Sequence, residues 1–193
     1  MTSFLYVSHP QVKVDPKVPV PDWGLSDVGR ARAQAFAARQ PLTGTARIVS
    51  SDECKAKETA ACLSHALGVP VEVRADMHEN DRSATGFLPE AEFQAVADAF
   101  FAHPETSVRG WERAIDAQAR IVRAVTEEIA RAPDAPTIFV GHGGVGTLLL
   151  CHLAERPISR VHDQPPVGGG CWYGWTNTRR PDRWRAMEEG LTP

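Results

Sequence analysis

Short apolar runs typical of β-strands alternate along this chain with longer amphipathic patterns typical of α-helices. The apolar runs predict strands over residues 3–8, 46–51, 69–73 and 136–140. The intervening patterns predict helices over residues 26–40, 53–67, 89–102, 110–131 and 144–154. This alternation predicts an α/β fold, a three-layer sandwich in which helices cover both faces of a mostly parallel central sheet.

Individual residues mark the ends of several of these elements. Ser26 is a typical N-cap for the first helix, and Gly68 is a typical residue to end the second. We expect the first helix to bury an apolar face made of Val28, Ala31, Ala35, Phe36 and Ala38. Near the end of the chain, "GCWYGWTN" and "DRWRAMEE" flank a turn at residues 179–181 and predict an antiparallel hairpin. Its tryptophans, Trp172, Trp175 and Trp184, are predicted to pack in the core.

Composition and charge restrict the classes of partner. The 193 residues include 42% hydrophobic side chains, which predicts a single globular domain over residues 1–193. A formal net charge of -3 gives no global basic field, so we expect neither a nucleic-acid partner nor an anionic membrane surface. The first residues, "MTSFLYVSHPQV", do not resemble a signal peptide, and no apolar run approaches the roughly 18 residues of a membrane span. The sequence therefore predicts a cytoplasmic protein.

Two histidines follow predicted strands that lie far apart in the sequence. His9 comes directly after the first strand, and His142 follows "TIFV" within "VGHGG". Either histidine alone is typical of a structural residue, but ligands in parallel sheets bind beyond the carboxyl ends of the strands. Glycines around His142 allow a close backbone approach, and the next helix directs its amide dipole at any anion there. We therefore expect both rings to contact one bound anion.

The letters "GHGGVG" also match the dinucleotide-binding fingerprint GxGxxG. That fingerprint belongs in the first strand-helix turn and needs an acidic residue after the following strand, whereas "RPISRVHDQPPVGGG" contains no such strand before Asp163. We therefore set the dinucleotide interpretation aside.

Four segments in this order carry a family resemblance: the first strand with His9, "VSSDECKAKETAACL", "MHEND" and "VGHGGVGTLL". Together they resemble the histidine phosphatase (phosphoglycerate mutase-like) superfamily over about residues 3–154. "WGLSDVGRARAQAFA" is also similar to the first helix of that family and the loop before it.

The resemblance implies a catalytic role for three residues. His9 would be the nucleophile, Glu79 would protonate the leaving oxygen, and His142 would bind the phosphoryl group. Such chemistry is physically sound, because a neutral imidazole can attack phosphorus and a carboxyl of raised pKa can donate a proton to an alkoxide. The neighbours His78 and Asp81 are close enough in sequence to be alternatives to Glu79.

The chain departs from the family at the residues that bind phosphate. The family has Arg-His-Gly where this chain has Ser8, His9 and Pro10, and its second arginine corresponds to Lys55. We expect Ser8, Lys55 and Gly143 to contact the substrate, but a hydroxyl and an ammonium replace two bidentate guanidiniums. Proline also lacks an amide hydrogen and restricts the residue before it. Five cations could complete the pocket from nearby loops: Lys13, Lys17, Arg74, Arg82 or Arg109.

Two hypotheses of different class follow. The first is a phosphomonoesterase that acts on a small phosphorylated substrate through phospho-His9. The second is a catalytically impaired relative that binds a phosphorylated ligand or a phosphate- or sulfate-like anion. Neither needs a metal or an organic cofactor, and four further histidines show no ligand spacing: His65, His103, His152 and His162. The four cysteines lack the pattern of a zinc site or a disulfide scaffold, so we expect free thiols.

Overall fold

The structure is a computed structural model that describes residues 2–190. Its strands are β1 (Ser3–Ser8), β2 (Arg47–Ser51), β3 (Val71–Arg74), β4 (Thr137–Gly141), β5 (Cys171–Thr176) and β6 (Arg185–Ala186). Its helices are α1 (Asp27–Ala38), α2 (Cys54–Leu67), α3 (Glu90–Ala102), α4 (Ala114–Arg131) and α5 (Gly143–Leu153). The four predicted strands and five predicted helices all form, with ends that differ by a few residues.

The strands form one mixed sheet in the order β3-β2-β4-β1-β5-β6. The pairs β3-β2, β2-β4 and β4-β1 are parallel, whereas β5 pairs in antiparallel fashion with both β1 and β6. The pairing of β1 with β4 matches Phe4 with Thr137 and Ser8 with Gly141, so both strands end at the same level. This register determines which residues meet at the carboxyl edge of the sheet.

Helices cover both faces of the sheet. Side chains alternate along β1, so that Leu5 and Val7 pack in one core with α1 and α2, whereas Phe4 and Tyr6 pack in a second core with α3, α4 and α5. The predicted α/β three-layer sandwich is therefore confirmed.

The first helix buries a different face from the predicted one. Ser26 caps α1 as expected, its Oγ accepting the amide of Gly29. The buried residues of α1 are Gly29, Ala33, Phe36 and Ala37, and Val28 is exposed. Of the five residues predicted to form the apolar face, only Phe36 is buried. The helix turns Gly29, Ala33 and Ala37 to the same buried side as Phe36, so the other predicted residues face outward.

The tail forms an antiparallel pair, but a shorter one than the hairpin predicted from its sequence. Cys171 pairs with Ala186 and Trp172 with Arg185. The second strand has only two residues, and residues 177–184 form the connection. Trp172, Trp175 and Trp184 are all buried, which confirms their predicted packing role.

Candidate active site

The two histidines meet where β1 and β4 end side by side. His9 follows β1 directly, and its backbone N–H donates to the carbonyl of Gly141, 3.0 Å away. His142 follows β4 directly and precedes α5. The centroids of the two rings are 5.4 Å apart, with the planes at 69°. The sheet thus brings together the pair that the sequence predicts at its carboxyl edge.

His9 is held with one ring nitrogen available. Its Nδ1 lies 2.9 Å from the carbonyl oxygen of Pro10, which can only accept a hydrogen bond, so Nδ1 carries the proton. The lone pair of the neutral ring is therefore on Nε2. Burial, together with the nearby His142 ring, lowers the pKa of His9 to about 3. The imidazole is neutral at physiological pH, as a nucleophile must be.

His142 is fixed through its backbone and through Nε2. The hydroxyl of Tyr6 accepts the N–H of His142 at 3.1 Å and donates to its carbonyl at 3.3 Å. Nε2 lies 2.9 Å from the Oγ of Ser51, while Nδ1 has no hydrogen-bond partner among the described residues. The residue is 0% exposed, and burial lowers its pKa. Nδ1 is therefore a buried polar atom without a partner, next to the cavity-lining Gly143, although His142 itself does not line the cavity described below.

Glu79 approaches the same place from the loop after β3, but its charge differs from the expected one. Its carboxylate accepts the amides of Asn80, Gly144 and Val145 at 2.9 to 3.1 Å. Although burial alone raises its pKa, Arg82, His142 and these hydrogen bonds lower it overall. In the free protein the pKa of Glu79 is therefore lowered and not raised, because the charges of Arg82 and His142 and the N–H donors of Val145 and Asn80 stabilise the ionised carboxylate.

The beginning of α5 is therefore occupied by a group of the protein itself. A Cβ at position 144 would lie 2.7 Å from Oε1 of Glu79, and one at position 143 would lie 2.0 Å from Nε2 of Gln164. The glycines of "VGHGGVG" thus allow these two side chains to pack against the helix terminus. The start of α5 was expected to direct its amide dipole at a bound anion, but its amides at Gly144 and Val145 donate to the carboxylate of Glu79.

Lys55 does not face the cavity as expected of a substrate-binding residue. Its side chain is 3% exposed, and its Nζ donates to the carbonyl of Val20 at 2.8 Å and pairs with the carboxylate of Glu53. Glu53 in turn accepts the amide of Glu79 at 2.9 Å and lies 3.6 Å from Nε2 of His142. Burial raises the pKa of Glu53, but His142 and Lys55 outweigh it and lower the value to about 2. The ammonium is therefore neutralised within the protein.

Ser8 is also turned inward. It is 1% exposed, and its Oγ donates to Oε1 of Gln164 at 2.6 Å and accepts the amide of Cys171 at 3.0 Å. Ser8 therefore orients Gln164, which lines the cavity, whereas Ser8 itself does not. Gly143, the third residue predicted to contact substrate, does line the cavity.

A cavity of about 460 Å³ opens in front of His9. Glu79, Gly143 and Gly144 line it near the histidines, and one wall is aromatic, formed by Phe93, Phe100, Phe101 and Trp111. Two arginines, Arg82 and Arg160, and the carboxylate of Asp163 complete the lining. The cavity combines an anion-binding end with an apolar wall, as ligand sites usually do.

Of the five candidate cations from the loops, Arg82 alone lines this cavity. Arg74 is bound by Asp76, Glu127 and Glu128, and Arg109 pairs with Glu92. Lys13 and Lys17 are exposed.

Several residues of the site carry no signal in the sequence. Glu53 and Gln164 contact groups from distant segments. Asp163 belongs to no recognised motif, although burial raises its pKa. Arg120 on α4 donates to the carbonyls of Asp76, His78 and Glu79 and so fixes the loop that carries Glu79. These contacts join residues 26 to 156 positions apart, which a single sequence does not disclose.

Further features bear on cofactors and location. Among residues 2–190, no group of three or more histidine, cysteine or acidic side chains is placed to hold a metal ion. All four cysteines are free thiols. No helix in the described part of the chain combines the length and the apolar character needed to cross a membrane.

Comparison with known proteins agrees with this geometry. The family profile of the histidine phosphatase superfamily (branch 1) matches residues 14–184. A glucosyl-3-phosphoglycerate phosphatase from Mycobacterium tuberculosis is 32% identical over 171 residues, covering 80% of this chain and 74% of that protein. One from Mycolicibacterium vanbaalenii is 31% identical over 176 residues, covering 83% of this chain and 76% of that protein.

Solved structures share the fold along nearly the whole chain. The native mycobacterial glucosyl-3-phosphoglycerate phosphatase superposes with a TM-score of 0.75 at 25% identity, covering 95% of this chain and 96% of that one. YhfR of Bacillus stearothermophilus gives a TM-score of 0.81 at 20% identity, covering 99% of each chain. The fold, the matched residues and the identity to these phosphatases agree: the chain belongs to branch 1 of the histidine phosphatase superfamily.

Proposed function

We propose that this protein is a phosphomonoesterase that hydrolyses a small phosphorylated substrate through a phosphohistidine on His9. The observation that carries the proposal is the pair of rings 5.4 Å apart, with Nε2 of His9 free and Nδ1 of His142 buried without a partner. A phosphoryl group between them would receive a lone pair from one ring and a hydrogen bond from the other. The phosphatases to which the chain is 31% to 32% identical support this assignment.

The first step forms a covalent intermediate. Nε2 of His9 attacks phosphorus, the P–N bond forms, and the P–O bond to the leaving group breaks with its electron pair on oxygen. His142 donates from Nδ1 to a phosphoryl oxygen while the hydroxyl of Ser51 donates to its Nε2, a tautomer assigned from the hydrogen bonds. In the second step water attacks phosphorus, the P–N bond breaks, and phosphate is released with His9 neutral again.

The leaving oxygen needs a proton, and we assign its donor as Glu79. Glu79 is ionised in the free protein, as its lowered pKa requires. A dianionic phosphoryl group beside it raises that pKa, because two like charges at short range favour protonation of one of them. Binding of substrate thus converts the carboxylate into the acid, which returns as the base that takes the proton of the attacking water.

The substrate is proposed to be a small phosphomonoester whose leaving group contacts the aromatic wall. The cavity of about 460 Å³ is large enough for a leaving group beyond the phosphoryl site. Glucosyl-3-phosphoglycerate, the substrate in the names of the most similar curated relatives, is the first compound to test.

Specific observations favour the second hypothesis, a phosphate-binding relative with impaired catalysis. Ser8 and Lys55 stand at the positions of two arginines, and both are engaged inside the protein. Losing one preorganised donor to the developing charge typically costs about 3 to 4 kcal/mol in the transition state. A protein that lost both without replacement would bind phosphate and turn over slowly.

Turnover of an aryl phosphate separates the two hypotheses. A phosphatase releases aryl alcohol and phosphate in equal amounts, and a denaturing alkaline quench traps an acid-labile phosphoenzyme that is absent from His9→Ala. Saturable binding of inorganic phosphate without measurable turnover would instead establish the impaired relative. Undiminished turnover in His9→Ala would refute the role of His9 in either case.

We also propose that residues 1–193 form a single domain, since one sheet contains strands from residue 3 to residue 186. The cytoplasmic location stays a prediction from the sequence.

A further inference from the structure

We propose that Arg82 supplies the guanidinium that binds the phosphoryl group, because position 8 carries no cation and the cation at position 55 is bound by Glu53. The proposal rests on the phosphatase function proposed above and concerns the cation that completes that site. It assigns the task to the polar segment after Glu79, whereas the family motif places it beside the first histidine and on the second helix.

The two motif positions leave the phosphoryl site without an available cation. Ser8 is neutral and directs its hydroxyl to Gln164. Lys55 is charged, but Glu53 and the carbonyl of Val20 bind its ammonium away from the cavity. A phosphoryl dianion between His9 and His142 therefore needs positive charge from another element.

Arg82 is the cavity-lining arginine whose guanidinium is free to bind a ligand. No hydrogen bond or ion pair of its guanidinium occurs within residues 2–190. Arg160, the other arginine of this lining, is engaged by Gln94 and Asp98. Of the two, only Arg82 has its N–H groups unused.

The aromatic wall orients the guanidinium of Arg82. Its Cζ lies 5.1 Å from the ring centroid of Phe93 and 5.6 Å from that of Trp111. These contacts place the cation over two aromatic rings, while its N–H groups have no hydrogen-bond partner within residues 2–190. Five such donors in a fixed plane suit two oxygens of one phosphoryl group.

Arg82 lines the same cavity as His9 and Glu79. Its charge lowers the pKa of both Glu79 and His142, which flank the proposed phosphoryl site. Arg82 forms no ion pair with Glu79, because backbone amides occupy that carboxylate. The guanidinium is thus held beside the site with its charge uncompensated by a direct partner.

The test compares Arg82→Gln and Arg82→Lys with Arg113→Gln, which removes an exposed arginine paired with Asp116 outside the cavity. The measurements are the dissociation constant of inorganic phosphate by calorimetry, competitive inhibition by vanadate, and kcat/KM on an aryl phosphate with a neutral leaving group. We expect Arg82→Gln to weaken both anions at least about tenfold and to lower kcat/KM about 100-fold. Arg82→Lys should fall between, and Arg113→Gln should match the wild type. Circular dichroism and thermal melting confirm folding.

Two results would overturn the proposal while the phosphatase function stands. One is wild-type turnover with unchanged phosphate and vanadate binding in folded Arg82→Gln. The other is a raised KM confined to substrates with an anionic leaving group, which would place Arg82 at the leaving group. If the wild type binds phosphate without turnover, the calorimetric comparison still tests Arg82. If the wild type neither binds phosphate nor turns over, the proposed function fails and this proposal fails with it.

Discussion

The protein contains two clusters of buried charge that differ in how completely they are paired. In the first, the carboxylate of Glu128 on α4 is 0% exposed and is bound by Arg47, Arg74 and Arg131. Arg47 and Arg74 belong to β2 and β3, so this cluster joins a helix to two strands. Every charged group in it has a partner of opposite charge inside the protein.

The second cluster surrounds the two histidines and is incompletely paired. Glu53 and Lys55 neutralise one another, but Nδ1 of His142 and Nδ2 of Asn80 are buried without a partner among the described residues. Arg82 lines the cavity next to this cluster, and its guanidinium has no hydrogen-bond or ion-pair partner among the described residues. An unpaired buried polar group lowers the stability of the fold by about 1 to 3 kcal/mol. The cluster around the histidines carries this destabilisation, and the cluster around Glu128 does not. The difference is consistent with a fold-stabilising role for the first cluster and with the proposal that the second binds an anion.

The largest expected effect is that of replacing the nucleophile. His9→Ala should lower kcat/KM by at least about a thousandfold, because no other group supplies the lone pair that forms the covalent intermediate. The acid-labile phosphoenzyme trapped by alkaline quench should disappear with it, while phosphate still binds. His103→Ala, at an exposed histidine outside the cavity, is the control and should behave as the wild type. A phosphoenzyme in His9→Ala would assign the nucleophile to another residue.

Breaking the paired cluster should instead affect stability. Glu128→Ala removes a buried carboxylate that three arginines share, although Arg47 and Arg74 keep Glu72 and Asp76 as partners. Because several charge-assisted hydrogen bonds are lost, the free energy of unfolding should fall by about 3 to 5 kcal/mol. For a chain of this size the melting temperature should drop by about 6 to 20 °C. Glu155→Ala, at an exposed ion pair with Arg180, should change it by less than about 1 kcal/mol. If both substitutions cost the same in calorimetry, the Glu128 cluster is not the fold-stabilising one.

Restoring the family motif should make the site more active. Ser8→Arg with Pro10→Gly provides a guanidinium and an amide donor, and about 3 kcal/mol of transition-state stabilisation corresponds to roughly 100-fold in kcat/KM. Gln164 is held by Ser8 and occupies the space beside Gly143, so an arginine needs that space. We therefore expect the full gain only when Gln164→Ala is added, and a smaller gain in each single variant. A folded triple variant no faster than the wild type would show that Arg82 already satisfies the phosphoryl group.

The histidine side of the site was predictable because it follows from regular structure. A strand ending at residue 8 and another ending near residue 141 place the next residues, His9 and His142, at one edge of a parallel sheet. The adjacency of β1 and β4 was not given by the sequence alone, since strand order depends on packing of the whole sheet. The family resemblance supplied it indirectly.

The charge state of the site was not predictable in the same way. Lys55 matches a motif position, yet its ammonium pairs with Glu53 two residues earlier in the chain. Glu79 lies in a polar loop, and only the folded contact with the start of α5 shows that its pKa is lowered. In the sequence Arg82 looks like any solvated arginine. The position of its guanidinium depends on aromatic rings from α3 and from the loop before α4. Local patterns do not encode such long-range contacts.

A further expected effect is the pH dependence of stability that comes from His9. Its pKa is about 3 in the folded protein, below its ordinary value of 6.5. Between these values the unfolded chain binds a proton that the folded protein does not, so this contribution to stability is fully present above pH 6.5 and decreases as the pH falls toward 3. In His9→Asn the contribution is absent, so its free energy of unfolding should decrease less between neutral and acidic pH. Urea titrations across that range measure the difference.

The same prediction has a spectroscopic form that isolates the ring. The Cε1–H resonance of His9, assigned by its absence in His9→Asn, should keep the shift of neutral imidazole down to about pH 5. Added phosphate should raise the pKa of the ring, because an anion beside it favours the imidazolium. A resonance that titrates near 6.5 without phosphate would mean that His9 is solvated. Water would then pair the polar groups around His9, and the contrast with the cluster around Glu128 would disappear. If the ring becomes protonated in this pH range only when phosphate is added, the bound anion supplies the negative charge that the second cluster lacks.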